Sequence, residues 1–494
     1  MVGDIDMPFP FDNSYASLPE AFFAPANPSP VSDPAFIALN RELALDLRID
    51  PDKLDSPEGL AYLAGNQVPD GAQPIAMAYS GHQFGGFNPQ LGDGRATLLG
   101  EVLDKKGIRR DIQLKGSGPT HFSRRGDGLS ALGPVIREYL VSEAMHALGV
   151  PTTRALAAVW SGDQVRRETM EPGGVFTRVA SSHIRVGTFQ YFAARQDHEN
   201  LKVLADYVID RHYPASRDSE NPYRAMLEAV IERQANLIAH WMSFGFIHGV
   251  MNTDNMAVSG ETIDYGPCAF LDDYDPAKKF SYIDQGGRYA FGNQSKMAHW
   301  NVTRLAEAIL PLLGKAEDEA VKEAEGALDS FPDTFQNAFQ KRFTSKIGIA
   351  EEVEGDWELV QSLLSLMHSN KADFTLTFRH LRDAVGDGND QALVSLFDKQ
   401  EAIREWLGQW RLRIQKEDVG TENARDLMMK VNPVFVPRNH RVEEAIQAGM
   451  KKDFEPFHRL DKVLRNPFEE QAEFADYEAA PKADEIVCTT FCGT

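Results

Sequence analysis

The chain has 494 residues, 43% of them hydrophobic, and its 51 Lys and Arg stand against 73 Asp and Glu for a formal net charge of −22. That balance excludes broad attachment to nucleic acid or to an anionic membrane surface, while leaving room for a local basic pocket that takes phosphate. The acidic start "MVGDIDMPFPFDNSY" lacks signal-peptide character, no apolar run of about 18 residues occurs, and three cysteines are too few for a disulfide scaffold, so a cytoplasmic protein of roughly 2–4 domains, or one elaborated domain, is expected.

Residues 1–75 are rich in Pro and Asp with short helical patches and read as a wrapping segment. The glycine-rich "YSGHQFGGFNPQLGDGR" then runs into "ATLLGEVL" and "RRDIQLKG", two predicted strands about the turn "DKKG". A helix follows over "SALGPVIREYLVSEAMHALGVP", with Ser130 as N-cap and Gly149-Val150-Pro151 as the stop. Two further strands, "TTRALAAVW" and "GGVFTRVA", flank the turn "EPGG". Loop, strand, strand, helix, strand, strand is the order of a protein-kinase small lobe, here residues 76–180. Helical periodicity takes over in "NLKVLADYVIDRHY" and "PYRAMLEAVIERQANLIAHWMSFG", which deliver the chain to "FIHGVMNTDN". "MAVSGETIDYGP" predicts a short hairpin turning at Ser259-Gly260, and amphipathic helices fill the stretch from about Trp300 to Phe468. The expected architecture is therefore an α/β, kinase-like two-lobed fold. Its small lobe is mixed β, and its large lobe over 181–470 is mainly α and carries a metal-binding loop and an α-helical C-terminal extension. The acidic, small-residue-rich stretch 471–494 is expected to be a mobile tail.

Within that order lie the parts of a phosphoryl-transfer site. Backbone N–H groups at Gly92 and Gly94 can approach phosphate oxygens because no Cβ intervenes. Lys115 adds a point charge, Glu138 can fix that lysine by an ion pair, and Asn255 and Asp264 offer the hard oxygens that suit Mg2+ or Mn2+. Each part taken alone has a plainer reading: a hairpin turn for "QLGDGR", an exposed strand lysine, a helix-surface glutamate, a turn-capping aspartate. Five parts in the chain order that kinases use are improbable as coincidence. One part is missing: where the kinase loop H-R-D-x-x-x-x-N has its basic aspartate, this chain has Val250.

The chain also resembles the selenoprotein O family of pseudokinase-fold protein adenylyltransferases. The resemblance runs through "YSGHQFGGFNPQLGDGRA", "LKGSGPTHFSRRGDGLSALGPVIREYL", "FTRVASSHIRVGTFQYFA", "IHGVMNTDNM", "IDYGPCAFLDDYDP" and "YIDQGGRYAFGNQ". It implies ATP bound in an inverted sense, so that AMP is transferred to Ser, Thr or Tyr hydroxyls of other proteins, with UMP from UTP as a variant. At matching positions it implies nucleotide contacts by Gly92, Gly94, Arg95, Lys115, Asp127, Gly128, Arg178, Arg185 and Asp264, metal at Asn255 and Asp264, and Asp254 as the proton acceptor. Inversion accounts for Val250, since a base there would face the wrong phosphorus. It also calls for cations where a kinase holds adenine, and Arg178 and Arg185 can supply them. The rival readings are an ordinary kinase, against which Val250 argues, and a catalytically inactive nucleotide-binding scaffold.

The family pattern places selenocysteine or cysteine third from the C-terminus, and here that residue is Cys492. A disulfide to Cys268, four residues after Asp264, would pin the activation segment and gate the site by redox state. Cys488 is a second candidate partner, and an inert Cys268 beside two tail thiols that oxidise together is the plain alternative.

Overall fold

The computed structural model describes residues 9–386, 388–416 and 420–491. Its small lobe is built on one sheet. β1 (Phe23–Pro25) and β2 (Ala35–Leu39) come from the N-terminal segment, and β3 (Ile75–Met77) leads to a separate hairpin of β4 (Gly81–Gln83) and β5 (Gly86–Asn88). β6 (Ala96–Leu103), β7 (Arg109–Lys115), the short β8 (Ser130–Ala131), β9 (Arg154–Arg166) and β10 (Met170–Ala180) complete the lobe. The order is β1-β3-β6-β7-β10-β9-β2 with β8 on β10, and the pairings are antiparallel. The segment read as a wrapping thus also supplies both edge strands.

The sheet is covered on both faces, so its central strands are buried along most of their length, although one face of β7 carries the polar Asp111, Gln113 and Lys115. Leu99, Val102, Ile112 and Leu114 pack against Leu43, Leu47, Leu54 and Leu63 of the N-terminal segment. Ala155, Ala158 and Phe176 meet the helix Leu132–Ala147 on the other side. That helix is backed in turn by the helices Asn439–Gly449 and Glu455–Leu464, whose Ile446, Phe457 and Leu460 pack with Ile136, Tyr139 and Leu140.

Three local expectations are corrected. The β9–β10 turn lies at Arg167-Glu168-Thr169, where the Arg167 N–H donates to Thr169 O at 2.9 Å, and "EPGG" sits inside β10 as a bulge between Pro172 and Gly174. Ser130 is not a helix cap: it pairs with Gly174 in the sheet, and the N-cap position belongs to Ala131. The segment after Asn255 turns at Gly260 but does not pair with itself. Val186 N–H donates to Met256 O, Val258 N–H to Ile184 O and Thr262 N–H to Pro151 O, each at 2.9–3.0 Å, so its backbone groups are satisfied by neighbouring segments.

The large lobe packs around the helix Pro222–Ser243, which meets Gln294–Leu313 and Ser330–Lys346. A two-stranded ribbon, β11 (Phe246–Ile247) with β12 (Ala269–Phe270), frames the loop between them. The stretch read as a tail lies along the molecule as far as residue 491: Phe474 and Tyr477 are buried, and Thr490 donates its Oγ1 to Pro267 O at 2.6 Å and its N–H to Phe280 O at 2.8 Å. Among the described residues no helix is long and apolar enough to cross a membrane.

Candidate active site

Strand geometry assembles the charged centre. Gln113 and Lys115 are two apart on β7 and so share a face, and Arg178 of β10 stands opposite Gln113 in register, placing its side chain on that face. Glu138 looks down on it from the helix Leu132–Ala147, and Asp264 enters from the large lobe with a left-handed φ of 72°. Lys115 Nζ lies 2.6 Å from Glu138 Oε2 and 2.5 Å from Asp264 Oδ1. Arg178 donates Nε to Glu138 Oε1 at 2.9 Å and Nη2 to Asp264 Oδ1 at 3.0 Å. Burial pushes both carboxyls up, but Arg178 and Lys115 overcome it at Glu138, and Lys115, Arg178 and Arg185 hold Asp264 well below the usual carboxylate range. Both carboxyls are therefore ionised at neutral pH where they face Lys115 and Arg178.

Arg185 stands at the N-cap of the helix Val186–Ala193, over the Tyr79 ring at 4.5 Å. It donates Nη1 to Asp254 O at 2.9 Å and lies 3.5 Å from Asp93 Oδ1, tying the glycine-rich loop to the loop of Asp254.

Asp254 and Asn255 occupy a single 3-10 turn, Thr253–Asn255. Asp254 Oδ2 accepts from Gln83 Nε2 at 3.0 Å, while its buried Oδ1 has no hydrogen-bond partner among the described residues. Burial pushes this carboxyl up to about 6 against the weaker pull of Gln83 and Arg185. Asn255 donates Nδ2 to Val250 O at 3.0 Å. His248 is held neutral by burial; its Nε2–H donates to Ile263 O at 2.8 Å and its Nδ1 accepts from the Val250 N–H at 3.4 Å. The histidine of the kinase-like loop thereby fixes the residue before Asp264.

The hairpin β4–β5 covers this loop, a feature the sequence reading missed although Gly85-Gly86 is a hairpin signal. His82 N–H donates to Thr253 Oγ1 at 2.7 Å, and Phe84 N–H to Asn252 Oδ1 at 3.1 Å. Gly81 is required at the crossing, since a Cβ there would stand 2.7 Å from Asp254 Oδ1.

The glycine-rich loop is packed closely on its neighbours. The Gly92 N–H donates to Tyr79 O at 3.1 Å, and a Cβ at Gly92 would stand 2.2 Å from the Phe122 ring. These glycines therefore allow residues 91–95 to pack on residues 118–128. Arg95 accepts the Gly116 N–H at its carbonyl at 2.7 Å and contributes to holding Asp264 ionised. Asp127 is paired with Arg167 at 2.8 Å and accepts the Leu129 N–H at 3.0 Å; the buried Gly128 accepts the Gly118 N–H at 3.1 Å. The loops of Gly92, Gly94, Arg95, Asp127 and Gly128 thus lie together, with Asp127 on the exposed rim.

The family model for protein adenylyltransferase SelO matches residues 7–465. The chain belongs to this family. It is similar to the protein nucleotidyltransferase YdiU of Bradyrhizobium sp. strain BTAi1, with 59% identity over 98% of this chain and 99% of the relative. The YdiU proteins of Rhodopseudomonas palustris strain BisB18 and of Methylorubrum populi share 56% and 58% identity with it, again over 98% of this chain and 99% of each relative. The span matched by the SelO family model contains every site residue except Cys488 and Cys492. Cys268 is a buried free thiol pushed up to about 12 by burial, Cys488 is free and exposed, and Cys492 lies outside the described residues. The adjoining Phe491 accepts from Arg137 Nη1 at its carbonyl at 2.8 Å, next to Glu138 in sequence.

Proposed function

We propose that this chain transfers AMP from ATP to Ser, Thr or Tyr hydroxyls of proteins. The observation that carries the reading is the combination of an intact Lys115–Glu138–Arg178–Asp264 cluster with Val250 at the kinase base position and a perturbed carboxylate, Asp254, beside Asn255. Lys115, Arg178 and Arg185 bind and orient the triphosphate, exchanging part of their present pairing with Glu138 and Asp264 for phosphate oxygens. Asp264 Oδ2 and Asn255 Oδ1 accept no hydrogen bond among the described residues, and these hard oxygens fit a divalent cation such as Mg2+ or Mn2+, which when bound neutralises phosphate charge. Asp254 accepts the acceptor hydroxyl's proton as the new O–P bond forms at the α-phosphorus and pyrophosphate leaves. The exposed Phe84 and Phe87, on the hairpin that covers Asp254, offer apolar contact to a protein acceptor. UTP is a second candidate donor, and the same cluster serves either nucleotide. Redox gating by a Cys268–Cys492 disulfide belongs to the same reading; its support is that Thr490 and Phe491 already reach Pro267 and Arg137.

ATP labelled on the α- or the γ-phosphate tests the proposal. Label on protein from the α-position alone supports it. Label from the γ-position would make the chain a kinase, and label from neither, across a proteome of acceptors, would make it a scaffold.

A further inference from the structure

On the large lobe, away from Lys115, Asp254 and Asp264, the helices Pro222–Ser243, Ser330–Lys346 and Gly420–Val431 enclose a cavity of about 470 Å3. Four cations line it: Lys341, Arg342, Lys346 and Lys430. No carboxylate among the described residues does, and Asp426 lines an adjoining depression that shares Lys430 and Phe468. Lys346 is only 3% exposed and has no ion pair or hydrogen bond to its Nζ among the described residues. Its ammonium rests on rings alone, 4.4 Å from Phe378, 5.6 Å from Phe374 and 5.7 Å from Phe244. Arg342, half-buried beside it, likewise has no acidic partner among the described residues.

A buried cation without a counter-charge is costly, and two side by side more so. Burial and the neighbouring Arg342 push Lys346 down to about 7, and the same two causes push His240 on the cavity wall down to about 3, so the histidine adds no charge at neutral pH. In a chain with a net charge of −22, carboxylates are abundant, yet none is placed here among the described residues. Lys346 therefore either sheds its proton or gains a counter-charge from a bound anion, since no carboxylate among the described residues lines the cavity.

We infer that this cavity is a binding site for a small soluble anion carrying two or more phosphate charges. Guanidinium and ammonium groups converging on one cavity suit phosphate oxygens, and the volume is that of a small-ligand site. The apolar rings beneath Lys346 exclude water on one side, which strengthens its attraction for an anion.

The test uses inorganic pyrophosphate, titrated calorimetrically at about pH 6.5 without divalent cations into the full chain carrying Lys115→Met, which weakens the competing nucleotide site. Binding is expected in the millimolar range or tighter. Adding Lys346→Met, or separately Arg342→Gln on the half-exposed wall, is expected to weaken it about tenfold or more, with the circular dichroism spectrum unchanged. Arg342→Gln does not touch the buried core and keeps the test valid even where Lys346→Met folds poorly. Absence of binding to the Lys115→Met chain, or binding undiminished by Arg342→Gln, overturns the inference.

Discussion

Asp254 combines two properties that pull in opposite directions. Its folded-state carboxyl lies at about 6, above the unfolded value, so it contributes stability that is fully present below about pH 4 and is lost as pH rises through 6. At neutral pH its charge is therefore a cost of up to about 3 kcal/mol. Asp254→Asn is expected to raise the thermal midpoint at pH 7.5 while lowering transfer about 100-fold or more. An unchanged turnover would remove Asp254 from the proton-transfer role. In the parent chain, kcat/KM should rise with pH through about 6, and that limb should vanish in the asparagine variant. Glu138 behaves differently, because Lys115 and Arg178 both lean on it: Glu138→Ala leaves two buried cations under-compensated and should cost about 3–5 kcal/mol in denaturant unfolding. Cys268 should resist iodoacetamide at pH 8 in the native state while Cys488 reacts, which peptide mass mapping reads directly. Lys115, Glu138, Asn255 and Asp264 were legible in sequence because each occupies a fixed place in a known order of parts. Gln83 and Tyr79 were not, since a glutamine or tyrosine in a loop carries no spacing signal; only the folded hairpin brings Gln83 to Asp254.

Among the elements, the β4–β5 hairpin and the C-terminal helices do most to hold the site. Gln83→Ala removes the one side-chain donor to Asp254 Oδ2 among the described residues, and the Asp254 carboxyl should then titrate higher, moving the acid limb of the rate profile upward. Phe457, fully buried against Tyr139 with ring centroids 5.4 Å apart, anchors the extension behind the Glu138 helix. Phe457→Ala should cost about 3–5 kcal/mol and weaken nucleotide binding at a site it never touches. The strands 96–103 and 109–115 could be read from sequence because the turn signal "DKKG" separates an apolar run from one in which Ile112 and Leu114 alternate with polar residues. The turn at "EPGG" was misplaced because Pro and Gly also mark bulges, and here Gly173 lets β10 pass Ser161, whose Oγ would stand 2.7 Å from a Cβ. The predicted hairpin after Asn255 failed for a related reason: alternation and a Ser-Gly turn do not say which neighbour will satisfy the backbone, and tertiary partners won.

At the scale of the whole molecule, both edges of the sheet are formed by the N-terminal segment, with strands of 3 and 5 residues that leave little free edge. The opposite end of the sequence completes the same lobe, since residues 439–464 wedge behind the helix that carries Glu138. Every recognisable nucleotide motif therefore leaves the ribosome well before the helices that hold that glutamate against Lys115. Folding proceeds from the N-terminus during synthesis, so a nascent chain carries the whole signature of the enzyme without its assembled centre. Competence arrives late and at once, and an interrupted translation product would display the motifs while leaving cellular proteins unmodified.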